Sequence, residues 1–135
     1  MSGDRMVLAE RISAIYHGSG DGNALVEAFR QSVVLVPLGD ADLPLSGTWG
    51  GIRWIYAFSS EAELAAFAAA RGEADRSWDY ATFRGWRLLD VVVAEVGGPA
   101  GVALDVAGPR PMMFPPVTGI VPAPVAVDAG AVSHG

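Results

Sequence analysis

Between residues 5 and 17 the apolar positions Met6, Ala9, Ile12 or Ala14, and Ile15 with Tyr16 recur mainly at intervals of three and four. That spacing lines one face of a helix. Gly18-Ser19-Gly20-Asp21-Gly22-Asn23 breaks it with residues that turn readily. Asn23 is then placed to cap a second short helix over residues 24–31, with Leu25, Ala28 and Phe29 on one face. The rhythm changes at residues 32–38 (SVVLVPL), a β-branched run ending in proline that predicts a strand buried on both faces. Residues 39–51 hold Gly, Asp, Pro and Ser and predict a loop or a broad hairpin connection. Residues 51–59 (GIRWIYAFS) alternate as a second strand. Ile52, Trp54, Tyr56 and Phe58 fall on one face and Arg53, Ile55 and Ala57 on the other.

Ser60-Glu61-Ala62-Glu63 carries the S-x-x-E capping pattern, in which Ser60 accepts from first-turn amides and Glu63 reaches back. A helix bearing Leu64, Phe67 and Ala68 follows and stops near Gly72. Residues 73–80 (EADRSWDY) predict a loop, and residues 81–84 a short strand. Residues 85–96 pull both ways, because Val91-Val92-Val93 favours a strand. Leu88, Leu89, Val92, Val93 and Val96 form one helical stripe, which decides for a helix ended by Gly97-Gly98-Pro99. Residues 101–107 alternate as a strand. Residues 109–116 (PRPMMFPP) suit an edge strand, since proline cannot donate to a central ladder. Residues 117–128 predict one last strand.

The order α-α-β-β-α-β-α-β-β predicts an α+β (or α/β) fold, with a mixed sheet of about five strands packed against two or three helices. One small domain over residues 1–128 and a flexible tail over residues 129–135 account for the 135 residues.

Composition narrows the chemistry. The hydrophobic fraction of 51% is enough for one packed core. The net charge of -6 argues against nucleic acid and anionic membrane partners. All nine basic residues are arginine, so lysine Schiff-base and P-loop chemistry is closed off. With no cysteine there are no disulfides, thiol nucleophiles or cysteine metal sites. Glu10, Arg11 and Ser13 interrupt any secretory apolar run, and no stretch reaches a membrane span, so the expected compartment is the cytoplasm. The lysine-free, Ala-, Val-, Gly- and Arg-rich composition points to a GC-rich coding sequence.

Three stretches in order resemble the N-terminal domain of the SseB family. A helix feeds a buried strand ending in proline (Leu25 to Phe29, then Val33-Val34-Leu35-Val36-Pro37). A strand runs into a Ser-and-acid helix start (Ala57-Phe58-Ser59-Ser60-Glu61). A glycine break precedes a strand ending in Asp beside a small-residue turn (Gly101-Val102-Ala103-Leu104-Asp105-Val106-Ala107-Gly108). Together they cover residues 24–116. The resemblance implies a small bacterial, actinobacterial α/β domain and carries over no catalytic residue.

The ionisable residues have plain structural accounts. His17 sits at a helix end, where a histidine favours the dipole, and His134 lies in the tail. Ser59 and Ser60 read as caps. Gly18-Ser19-Gly20 lacks the preceding strand and third glycine of a dinucleotide loop. Asp40 with Asp42 and Asp75 with Asp79 read as solvated loop pairs, and Glu61 with Glu63 as a helix start. No metal and no cofactor are expected.

Aromatic and arginine residues are the suggestive set. Trp49, Trp54, Trp78, Tyr80 and Trp86 interleave with Arg53, Arg76, Arg84 and Arg87, the residue types of binding hot spots. Core packing is the plainer account of most of them, with Trp54 in the core and Trp49 and Trp78 partly exposed. Met112-Met113-Phe114 between prolines is a second candidate contact, and here too packing competes. The first functional reading is a non-catalytic protein–protein interaction module that meets another protein or a second copy of itself through Trp49, Trp78, Tyr80, Arg53, Arg84, Met113 and Phe114. The second is a small-ligand binder or enzyme with a pocket between Trp49, Trp78 and Asp105, the aspartate serving as base.

Overall fold

Alternation along the strand at Ile52–Ala57 sends Ile55 and Ala57 to one side and Tyr56 with Phe58, just beyond it, to the other, and both sides are covered. The molecule is built around that division. The computed structural model describes residues 2–73 and 78–128. Helices α1 (Ser2–Tyr16) and α2 (Gly22–Gln31) precede β1 (Val33–Pro37). A 3-10 turn at Asp40–Asp42 leads to β2 (Ser46–Trp49) and β3 (Ile52–Ala57), then α3 (Glu61–Ala70). Strand β4 (Tyr80–Arg84) runs directly into α4 (residues 85–95), and β5 (Ala100–Leu104) and β6 (Met112–Phe114) follow.

The expected mixed α+β architecture is present, with six strands in two ladders against four helices among the described residues. One ladder has the order β2-β3-β5-β6, with β3 and β5 parallel and the outer pairs antiparallel. The other pairs β1 with β4 antiparallel, Val33 opposite Arg84. Leu35 and Phe58 join the ladders by exchanging both backbone hydrogen bonds at 2.8 Å.

Helices α1, α2 and α4 close one face over Val34, Val36, Ile55, Val102 and Leu104. Helix α3 closes the other over Leu35 and Phe58 with its own Leu64 and Phe67. Each fully buried side chain of this kind contributes roughly 1.5–3 kcal/mol, so both layers hold the sheet between them. The segment with mixed signals is a continuous helix: α-helical at Gly85–Arg87, π at Leu88–Val92 and α-helical at Val93–Glu95. In the π turn the Val93 amide donates to the Leu88 carbonyl five residues back, and both side chains lie in the core. Arg30 donates to both oxygens of Asp90, at 2.9 and 2.6 Å, and clamps α2 to α4.

Several local expectations need correction. The buried stripe of α1 is Leu8 and Ile12 flanked by Ile15, whereas Met6 is exposed, so the helix sits in a different phase. The cap of α2 is Asp21, whose carboxylate accepts from the Asn23 amide at 2.9 Å; Asn23 lies inside the helix. The 39–51 connection contains β2. In place of a strand over residues 117–128 there are turns and a 3-10 turn at Ala123–Val125, fitting Pro122 and Pro124. Residues 129–135, and with them His134, lie outside the described residues, as do Asp75 and Arg76. His17 ends α1 as expected, its Nδ1 donating to the Ser13 carbonyl at 2.8 Å. Among the described residues no helix is long and apolar enough to cross a membrane.

Candidate functional site

The helix layer leaves one part of the sheet incompletely covered. Between α4 and the β2–β3 hairpin lies an open groove of about 550 Å³. Ile55 and Phe83 belong to its sheet side, Val91, Val92 and Val96 to its helix wall, and Leu43 and Pro44 to its loop rim. Three charged side chains line it: Arg53 from β3, and Arg87 and Glu95 from α4. Arg53 donates to the Ser46 hydroxyl at 3.3 Å, and neither arginine is in an ion pair among the described residues. Leu43 is 64% exposed, an apolar side chain standing in solvent at the groove edge.

Trp49, Trp54 and Trp78 serve the opposite face, while Trp86 stands exposed on α4. Trp49 is 41% exposed and stacks on Trp54 with ring centres 5.4 Å apart. Trp54 is buried, as expected, and its Nε1 donates to the Trp49 carbonyl at 3.3 Å. Trp49 also meets Tyr56, Tyr56 meets Phe67, and Phe67 meets the half-buried Trp78 edge-on, at 6.3, 4.9 and 6.0 Å. Trp49 and Trp78 are thus the two ends of an aromatic chain that packs α3 onto the sheet.

The remaining sequence candidates are dispersed. Tyr80 on β4 donates to Glu61 Oε2 at 3.0 Å, and the neighbouring carboxylate holds its hydroxyl above the usual tyrosine range. Arg84 donates to the Gln31 carbonyl and ties β4 to the end of α2. Met113 is exposed on β6. Phe114 is corrected to a core residue, fully buried and stacked on Phe29 at 4.4 Å. Of the seven candidates, Arg53 alone lines the groove.

A second, smaller cavity of about 230 Å³ lies where β3 and β5 end. Its lining includes Ser59, Ser60, Glu63, Asp105 and Arg110, against Leu8 and Ile12 of α1. Neither Trp49 nor Trp78 lines it, so the expected Trp49–Trp78–Asp105 pocket is not the one that holds Asp105. Asp105 adopts a left-handed backbone with φ 54, which aspartate tolerates better than most residues. Its carboxylate accepts from the Ser59 amide at 2.8 Å and the Ser59 hydroxyl at 2.7 Å, while its own amide donates to the Ala57 carbonyl. The Asp that closes the third stretch of the sequence pattern is therefore a clamp across the ends of two parallel strands. Burial pushes its carboxyl up, against the downward pull of the two Ser59 bonds.

Ser60 caps α3 as expected, accepting from the Glu63 amide at 3.3 Å. Glu63 does not complete the reciprocal bond: its Oε1 is buried without a hydrogen-bond partner, packed against Gly108. Burial, then the charge of Asp105, raises its carboxyl above the ordinary value of 4.5. A carboxyl raised by folding favours the protonated folded state, so its contribution is complete at or below 4.5 and is lost as pH rises through the folded-state value. The half-buried Asp128 is lowered, chiefly by the Thr118 amide, so its contribution is present above 3.8 and is lost only as pH falls through its folded-state value. Glu63→Gln is expected to raise the melting temperature at pH 7.5 by about 2–5 °C. It is also expected to flatten the gain in stability that the wild type shows on acidification toward pH 4.5. Thermal melts across that range decide the matter, and an unchanged slope would remove Glu63 from the account.

A family model described as SseB protein N-terminal domain matches residues 8–118. No curated protein and no solved structure matches the chain.

Proposed function

We infer the function of this chain from one premise: it belongs to the SseB protein N-terminal domain family. It is a non-catalytic protein–protein interaction module, acting in the bacterial cytoplasm, and its docking face is the groove between α4 and the β2–β3 hairpin. The observation that supports this reading is the groove itself. It combines an apolar floor, an exposed leucine at its edge and charged side chains at its margin, the layout of a protein contact with an apolar centre and a polar rim. The aromatic candidates Trp49 and Trp78 have packing duties on the other face, so the contact rests on residues such as Leu43, Val92 and Arg87.

The test is affinity capture with the wild type and two surface variants. Leu43→Asp alters the groove edge, and Met113→Asp alters the exposed β6 residue outside it; both positions are exposed, so the fold is retained. A partner held by the wild type and by Met113→Asp, and lost with Leu43→Asp, is the expected result. Loss with Met113→Asp alone would move the docking face to β6, and turnover of a metabolite by the isolated chain would overturn the reading.

A further inference from the structure

Resting on the groove as the docking face, we propose that its occupant is an apolar peptide segment of a partner protein carrying at least one carboxylate.

The charge pattern carries this. The chain as a whole is strongly acidic, at -6, yet the groove lining holds two guanidinium groups to one carboxylate. Elsewhere three arginines are engaged within the fold: Arg30 is bound in two places to Asp90, Arg71 lies 3.8 Å from Glu73 two residues on, and Arg84 donates to the Gln31 carbonyl. Arg53 and Arg87 make no ion pair among the described residues, and the Arg53 guanidinium donates only a long hydrogen bond, to the Ser46 hydroxyl at 3.3 Å, among those residues. A guanidinium offers a planar fork of donors that matches a carboxylate, and apolar surroundings strengthen that pairing once solvent is displaced. Val91, Val92, Val96, Ile55 and Phe83 give the rest of the segment an apolar bed. The overall negative charge repels an acidic partner at long range, so recognition depends on the local pair of arginines and not on steering by net charge.

The test is peptide phage display on the immobilised full chain, followed by titration of the selected fluorescein-labelled peptides. Wild type, Arg53→Gln/Arg87→Gln and Leu43→Asp are compared at low and high salt. Apolar peptides bearing Asp, Glu or a free C-terminal carboxylate should be enriched. Their affinity should fall about ten- to a hundredfold in the double glutamine variant, and salt should weaken the wild type more than that variant. Neutral or basic peptides that need Leu43 but ignore both arginines would overturn the acidic occupant and leave the groove as docking face. Peptides indifferent to Leu43 as well, or no enrichment, would overturn both.

Discussion

Phe29→Ala is expected to lower the unfolding free energy by about 3–5 kcal/mol, the usual cost of emptying a buried phenylalanine site. Phe29 has no exposed surface and its ring stacks on Phe114 at 4.4 Å with planes 22° apart. It belongs to α2, while Phe114 belongs to β6 at the end of the sheet, so the pair pins a helix to the strand farthest along the ladder. The surroundings on that face are branched aliphatic side chains and backbone, which relax only partly into the void. A domain of this size has about 5–15 kcal/mol in all, so the variant should unfold at clearly lower urea with an unchanged slope. Phe114→Ala should cost a similar amount. The double variant should cost less than the two together by about 0.5–1.5 kcal/mol, because the second truncation loses a stack that the first already removed. A loss below about 1 kcal/mol for Phe29→Ala would mean that α2 is not seated as described.

Gly85→Ala is the second large effect, and here the cause is crowding. A Cβ at Gly85 would stand 1.9 Å from the Phe29 carbonyl oxygen and 2.7 Å from its carbon. These are backbone atoms, so no rotamer change relieves them. Gly85 is also held in place, its amide donating to the Ser32 carbonyl at 2.9 Å. Helix α4 begins at this residue, and alanine would otherwise be the better helix former by about 1 kcal/mol. The collision reverses that preference, because α2 and α4 must separate. The expected loss is at least about 3 kcal/mol, at or beyond the upper end of ordinary overpacking. Gly98→Ala is the matched control, with nothing within 4 Å of its Cβ and no positive φ, and should change stability by less than about 0.5 kcal/mol. Equal melting curves for the two variants would contradict the close approach of the helices.

Much of the fold was legible where one local signal dominated. The SVVLVPL run and the Ser60 cap each name their element without help from the rest of the chain, whereas residues 85–96 set a helical stripe against the β-branched Val91-Val92-Val93. Strand β2 was hidden because Ser46-Gly47-Thr48-Trp49 has no apolar alternation; it is a strand by virtue of pairing with β3. Its signal was present in Gly50-Gly51, both with positive φ, the two-residue turn that suits a tight hairpin. The phase of α1 was ambiguous because Met6, Val7, Leu8 and Ala9 are all apolar, and only packing on α2 selects Leu8. The candidate site was less legible. Arg53 could be named as a residue type suited to contacts, but the groove joins β3 to Arg87 and Val92 of α4, and no spacing along the chain announces that meeting. The S-x-x-E pattern makes Glu63 half of a reciprocal cap. The turn at Gly108 that buries its oxygen comes from a distant part of the sequence.

The parallel pairing of β3 with β5 also bears on how the chain reaches this state. Arg53 must find Ala100, and Val33 must find Arg84, before either helix layer has a surface to rest on. Short helices form on their own within about a microsecond, yet contacts this remote along the chain demand closure of large loops whose entropy is lost before any contact repays it. Assembly speed is accordingly governed by the search for strand partners, and the half-made sheet, with two apolar faces still bare, is the species most prone to self-association.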